Sequence, residues 1–392
     1  MSDAPPLIPL FDVKLEQAHI DAVSDTLRSG WLTMGPRTQE FERVFAEHLD
    51  CKHAIALANC TAALHLAYLA AGVGPGDEVV VPAITFVATA AAARYCGAEP
   101  VFADVKGPHD LGIDPEDVSR RITDRTKAVC AVHYGGYAAD LAALRSICED
   151  AGVALIEDAA HSPSATPLGD SRKLGTHGQS GCFSFFSNKV LSCGEGGLLA
   201  TNDDGVAAQV RSLRSHAMTT GTWDRHRGHA PGYDVVDVGY NYRMDEPRAA
   251  LLTARLTGLE DDIATRRRLV HRYRSMLADV EGVTVPYEDA EVDVSSCYVM
   301  PVIVDDHELR DPLRQLMLDE RRVQTSVLYP ALHELSAYAG STGELPHSEF
   351  AGRAELTLPL FPTLSEDDQD RVVSALAEGM RSLERAAAAS RG

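Results

Sequence analysis

A lysine set between an aromatic run and a cluster of glycines is the feature most suggestive of chemistry. In CFSFFSNKVLSCGEGGLLAT, Lys189 follows Phe183, Phe185 and Phe186 and precedes Gly194, Gly196 and Gly197. An ammonium near apolar side chains is costly unless it has a partner. A cofactor with an aldehyde group supplies one, because imine formation needs the unprotonated amine and a desolvated site lowers the lysine pKa from about 10.4. The glycines permit backbone conformations barred to other residues and a close approach to a ligand. Taken alone, the same lysine reads as a solvated loop residue.

A second segment, GVALIEDAAHSPSA, delivers Glu157 and Asp158 to the end of an apolar run. A carboxylate there can keep a pyridine nitrogen protonated and so make the ring an electron sink for a carbanion at a substrate carbon. Asp158 suits that task, and His161, three residues on, could reach a ring oxygen. Without a wider pattern, the aspartate reads as a helix cap or salt-bridge partner and the histidine as a hydrogen-bonded loop residue. In HAIALANCTAALHLAYLA, a strand-like run passes through Asn59, Cys60 and Thr61 into a helix whose first amides suit a phosphate; a plain N-cap is the alternative. Ser184 could add a hydroxyl to that phosphate or lie on an exposed strand face. Phe86, just after Thr85, could stack on a pyridine ring or pack in the core.

These residues need a scaffold that gathers them. From about Phe41 to Ile156, helical periodicity alternates with the short β-rich runs HAIALAN, EVVVPAI, EPVFADV, KAVCAVHY and VALIEDA, which predicts a largely parallel sheet with helices on both faces. Ligands collect at the carboxyl ends of such strands, and Asn59, Thr85, His133 and Asp158 all fall just after these runs. The segment SHAMTTGTWDRHRGHAPG reads as a long functional loop, with Trp223, Arg225, His226, Arg227 and His229 available to an acceptor or to a neighbouring subunit. An amphipathic helix begins near Ala249, so a boundary is placed there: residues 1–250 as a large domain and 251–392 as a smaller one.

Composition excludes several classes. At 392 residues with 45% hydrophobic, the chain is long enough for a large cored domain plus a smaller one. Its 36 basic and 57 acidic side chains leave a formal charge of −21, which argues against a nucleic-acid partner. No segment approaches the roughly 18 apolar residues of a membrane span, and no secretory leader is visible, so a cytoplasmic location with no membrane partner is expected. The eight cysteines are scattered with no CxxC pair, which suggests reduced thiols and no metal.

The blocks SGWLTMGPRTQEFERVFA, GPGDEVVVPAITFVAT, IEDAAHSPSA, GCFSFFSNKVLSCGEGG, GYNYRMDEPRAA and LTLPLFPTL, in this order, span nearly the whole chain. Together they resemble the sugar aminotransferases of the DegT/DnrJ/EryC1/StrS family, which are fold type I pyridoxal-phosphate enzymes. The resemblance implies an α/β fold: a large domain with a mostly parallel, seven-stranded type of sheet between helices, and a smaller C-terminal α+β domain. It implies pyridoxal 5'-phosphate as cofactor, Lys189 as Schiff-base lysine and general acid/base, Asp158 at the pyridine nitrogen, and His161 near the ring oxygen. Phe86 matches the stacking aromatic, and Cys60, Thr61 and Ser184 match the phosphate cradle. Asn241 of GYNYRM matches the residue that a neighbouring subunit adds to that cradle, so a homodimer with shared active sites is implied.

The expected reaction moves an amino group from L-glutamate or L-glutamine to a keto sugar, nucleotide-linked, or to a keto-cyclitol, in amino-sugar or secondary-metabolite biosynthesis such as that of antibiotics. The family usually has Ser-Gly-Thr where this chain has Asn59-Cys60-Thr61; backbone amides can still bind phosphate without that glycine. Family members that act as sugar dehydratases carry a histidine in place of the lysine, and retention of Lys189 favours transamination. The competing expectations are a pyridoxal-phosphate lyase or dehydratase of the same superfamily and a non-catalytic, cofactor-binding regulatory protein.

Overall fold

The computed structural model describes residues 6–220, 228, 232–340 and 343–391. Two helices come first, α1 (Gln17–Arg28) and α2 (Pro36–Leu49). Pro36 opens α2, where its missing N–H costs nothing. The Glu246 carboxylate accepts hydrogen bonds from the amides of Gly35, Arg37 and Thr38, satisfying donors that a helix start leaves unpaired.

A seven-stranded sheet forms the centre of the molecule. Its strands are β1 (His53–Leu57), β2 (Glu78–Pro82), β3 (Glu99–Ala103), β6 (Thr126–Val132), β7 (Ala154–Asp158), β8 (Ser180–Ser184) and β9 (Gly197–Thr201). Their order is β1-β9-β8-β7-β6-β2-β3. All pairings from β8 to β3 are parallel, and β9 runs antiparallel to both of its neighbours. The mostly parallel sheet expected from the alternating pattern is therefore present. Every residue of β2 is buried, as the unbroken apolar run EVVVP requires of a strand covered on both faces. A small hairpin, β4 (Val105–Gly107) with β5 (Asp110–Ile113), follows β3.

Helices α3 (Cys60–Ala70) and α4 (Val87–Tyr95) follow β1 and β2 directly, so their N-termini stand at the strands' carboxyl ends. On β8 the side chains alternate. Phe183 packs edge-on against Phe45 of α2 at 5.4 Å, and Phe185, just past the strand, does the same against Phe41 at 5.4 Å. Ser184 and Phe186 point the other way, into a cavity. The aromatic run before Lys189 is thus half core and half site wall.

The C-terminal layer is an antiparallel sheet of β10 (Val283–Thr284), β11 (Met300–Val304) and β12 (Glu355–Leu358), packed with the helices Leu259–Leu277, Arg310–Asp319 and Glu366–Arg391. The start of the chain runs along this layer. Ile8 exchanges backbone hydrogen bonds with Arg322 and Gln324, and the Leu360 amide donates to the Leu10 carbonyl. Among the described residues no helix is long and apolar enough to cross a membrane.

Gly197 marks the closest approach of backbone to backbone at the site. A Cβ there would lie 2.2 Å from the Asn59 carbonyl carbon and 2.5 Å from the Cys60 nitrogen. The glycines after Lys189 were expected to admit a ligand; at Gly197 what they admit is the start of α3. Replacing Gly197 with Ala should cost about 1–3 kcal/mol of stability through overpacking. Gly258, which has a negative φ and open space around its Cβ position, should tolerate Ala with little change. Urea unfolding of the two variants measures the difference.

Candidate active site

Asp158 ends β7 with 5% of its surface exposed. Its carboxylate accepts hydrogen bonds from the Thr89 hydroxyl at 2.9 Å and from the Ala160 amide at 3.2 Å. Thr89 spends its proton on Asp158, so at 3.0 Å it accepts from Thr85, four residues earlier on the same face of the α4 start. Burial raises the Asp158 pKa above the ordinary carboxylate range, and the hydrogen bonds with the nearby Lys189 charge only partly oppose it.

Lys189 lies in the tight turn after β8, where its amide donates to the Phe186 carbonyl. Its Nζ stands 4.3 Å above the centre of the Tyr298 ring, a cation–π contact. Burial pushes the amine down to about 8, against the pull of Asp158. That value leaves roughly a tenth of the amine neutral and nucleophilic at pH 7, against well under a thousandth for an ordinary lysine, as the aromatic and glycine setting suggested.

The Asn59 side chain caps α3 by accepting from the Ala62 amide at 2.9 Å. The N-cap alternative is therefore what this side chain does. The amides of Cys60 and Thr61, at the first two helical positions, have no intrahelical acceptor and face the positive end of the helix dipole. The Cys60 thiol is buried and its pKa is raised by that burial, which keeps it neutral.

These groups line one cavity of about 500 Å³, together with Ser184, Phe86, His161 and Tyr329. Phe86 is 55% exposed, which rules out its core-packing alternative, and its ring lies 6.1 Å from that of Tyr329. His161 is buried, with Nδ1 at 3.2 Å from the Gly135 nitrogen and Nε2 at 3.0 Å from the Tyr329 hydroxyl. Asn241 is not brought into this cavity; it is exposed, in a bridge to Ser215. Trp223, Arg225, His226, Arg227 and His229 lie outside the described residues.

Sequence reasoning missed Thr89, Tyr298, Tyr329 and the cavity-lining Leu10 and Phe11. Thr89 carried a signal, since it stands four residues after Thr85 at a helix start. The others come from distant segments with no local mark.

The sequence profile of the DegT/DnrJ/EryC1/StrS aminotransferase family matches residues 13–377. This chain belongs to that family. It is 36% identical over 366 residues to the spore coat polysaccharide biosynthesis protein SpsC of Bacillus subtilis (strain 168), covering 91% of this chain and 93% of that protein. Its fold is similar to that of the aminotransferase TlmJ from Streptoalloteichus hindustanus, with TM-score 0.88 and 35% identity over 96% of this chain and 100% of that one. It is also similar to DesV of S. venezuelae, solved in complex with a ketimine intermediate, with TM-score 0.86 and 32% identity over 95% and 98% of the two chains. The fold is thus that of the fold type I enzymes. Relatives of this fold are solved with pyridoxal phosphate or pyridoxamine phosphate. The chain is a pyridoxal-phosphate-dependent aminotransferase, and its cavity fits the cofactor: free helix-start amides, a buried carboxylate and a half-buried amine converge there.

Competitive acetylation of the cofactor-free protein, read by peptide mapping, should show Lys189 gaining reactivity as pH rises, with a midpoint near the value of about 8 that burial sets. Because the Asp158 charge favours the protonated amine, Asp158→Asn should move that midpoint lower. An exposed lysine in the same digest should titrate near 10.4.

Proposed function

We propose that this enzyme transfers the amino group of L-glutamate or L-glutamine to the carbonyl carbon of a keto sugar, nucleotide-linked, in amino-sugar biosynthesis; a keto-cyclitol is the alternative acceptor. The carrying observation is the convergence of Lys189 and Asp158, from the ends of neighbouring parallel strands, on one cavity with the start of α3. The similarity to SpsC, a polysaccharide biosynthesis protein, supports a sugar as acceptor.

When bound, pyridoxal phosphate supplies an electron sink and holds the amino group between the two half-reactions. Lys189 is its covalent anchor. Released from that link, the neutral Nζ would take a proton from the amino-bearing carbon of the donor and deliver it to the cofactor's former aldehyde carbon, and would run the same shift in reverse for the acceptor. Asp158 keeps the pyridine nitrogen protonated. Phe86 would cover the ring, His161 would stand at its edge, and the Cys60 and Thr61 amides with the Ser184 hydroxyl would hold the phosphate. The reaction is placed in the cytoplasm, consistent with eight free thiols.

The test begins with the enzyme in its yellow form. L-glutamate or L-glutamine should convert it to the pyridoxamine form, and one class of keto sugar should restore the original spectrum. Restoration by keto acids alone would sink the sugar reading. Asp158→Ala should bind the cofactor and keep its colour but lose nearly all single-turnover rate.

The second part of the proposal is a homodimer that shares its sites. Tyr233, Val235, Val236 and Val238, just before Asn241, are apolar and more than half exposed, at 55%, 52%, 64% and 83%. Such a stretch suits a subunit interface. Asn241 of the partner subunit would then complete the phosphate cradle, and Asn241→Ala should weaken cofactor retention by about 1–3 kcal/mol. Mixing inactive Lys189→Ala chains with Asn241→Ala chains should partly restore activity, because one site of the heterodimer then carries neither lesion. No recovery on mixing would place Asn241 in its own chain's site.

A further inference from the structure

Both ring nitrogens of His161 are already engaged. A backbone N–H only donates, so Nδ1, 3.2 Å from the Gly135 nitrogen, must be the unprotonated one. Burial and the Lys189 charge hold the ring neutral by driving its pKa well below the usual value. The single proton therefore sits on Nε2, which donates to the Tyr329 hydroxyl 3.0 Å away. That bond occupies one lone pair of the tyrosine oxygen and leaves the hydroxyl's own proton unspent. Among the described residues, His161 is the hydrogen-bond partner of this hydroxyl. Tyr329 lines the cavity beside Phe86.

We infer that Tyr329, rather than His161, offers the hydrogen-bond donor to the phenolic oxygen of the bound cofactor. His161 is a positioning residue that fixes where the tyrosine proton points. The inference rests on the Lys189 and Asp158 reading of the cavity. A bland account also exists, because the His161 ring stacks on Tyr298 at 4.3 Å and lies parallel to Tyr329. Packing alone would survive loss of the tyrosine hydroxyl, whereas donation would not.

Two measurements decide between them, and neither is an activity. Equilibrium binding of pyridoxamine 5'-phosphate and of its 3-deoxy analogue, which lacks the phenolic oxygen, is compared in the wild type and in Tyr329→Phe. The wild type should prefer the oxygen-bearing ligand by about tenfold or more, the range of a hydrogen bond to a charged group. Tyr329→Phe should erase that preference and bind the deoxy analogue as the wild type does, which also shows that the variant is folded. A preference that persists in Tyr329→Phe, or that is missing from the wild type, overturns the inference while leaving the site assignment standing. A wild type that binds neither ligand overturns the assignment itself. Nitrogen-15 NMR of the cofactor-free enzyme should show His161 as the Nε2–H tautomer; the Nδ1–H tautomer removes its positioning role.

Discussion

Asp158 and Lys189 are opposite charges in one cavity, the first buried and the second half-buried, and much of the architecture around them exists to make that tolerable. A lone buried carboxylate is driven toward its neutral form. The Thr89 hydroxyl, itself supported by Thr85, and the Ala160 amide offset part of that drive, and the pKa of Asp158 still rises. Thr89 is in place because α4 begins directly after β2, next but one to β7 in the sheet. The amine is handled differently. It has an aromatic face beneath it and, among the described residues, no hydrogen-bonded carboxylate, so desolvation wins and the proton is loosely held. Asp158 thus keeps part of the support that its charge needs against burial, and Lys189 keeps little.

The neighbouring Glu157 shows the same accounting on the opposite face of β7. It is fully buried, yet the amides of Gly175, His177 and Gly178 donate to it, and its pKa falls rather than rises. His133 Nδ1 accepts from the Ala139 amide, so its Nε2–H donates to this carboxylate. Two adjacent acidic residues thus reach opposite protonation tendencies: Glu157 has the His133 ring and then the loop amides to set against its burial, and Asp158 has chiefly one hydroxyl and one amide. Glu157 ties the loop at 175–178 to the sheet, and Asp158 is left facing the cavity.

Much of this was legible in the sequence because parallel sheets bury both faces and leave their polar residues at strand ends. The runs ending at Asn59, Thr85 and Asp158 showed that pattern, and Lys189 stood out because its surroundings were wrong for an ammonium. The remainder was hidden for physical reasons. Tyr298 and Tyr329 sit in segments whose local texture is that of ordinary strand and loop, and only packing of the C-terminal layer brings them to the cavity. The two roles open to Asn59, cap or phosphate donor, are chemically alike at a helix start, and only the contact to Ala62 separates them.

The route of the first residues has a consequence for biosynthesis. Leu10 and Phe11 line the cavity, and the Leu10 amide is bonded to the side chain of Gln324, 314 positions later. Leu10 also receives the Leu360 amide. A ribosome therefore releases one wall of the pocket more than 300 residues before the surface that seats it. Contacts so distant along the chain form slowly, after the loop between them has been closed. The central sheet can assemble before those segments are made, but the pocket stays open on that side until Gln324 and Leu360 have emerged, and a cofactor arriving earlier would meet a partial binding site.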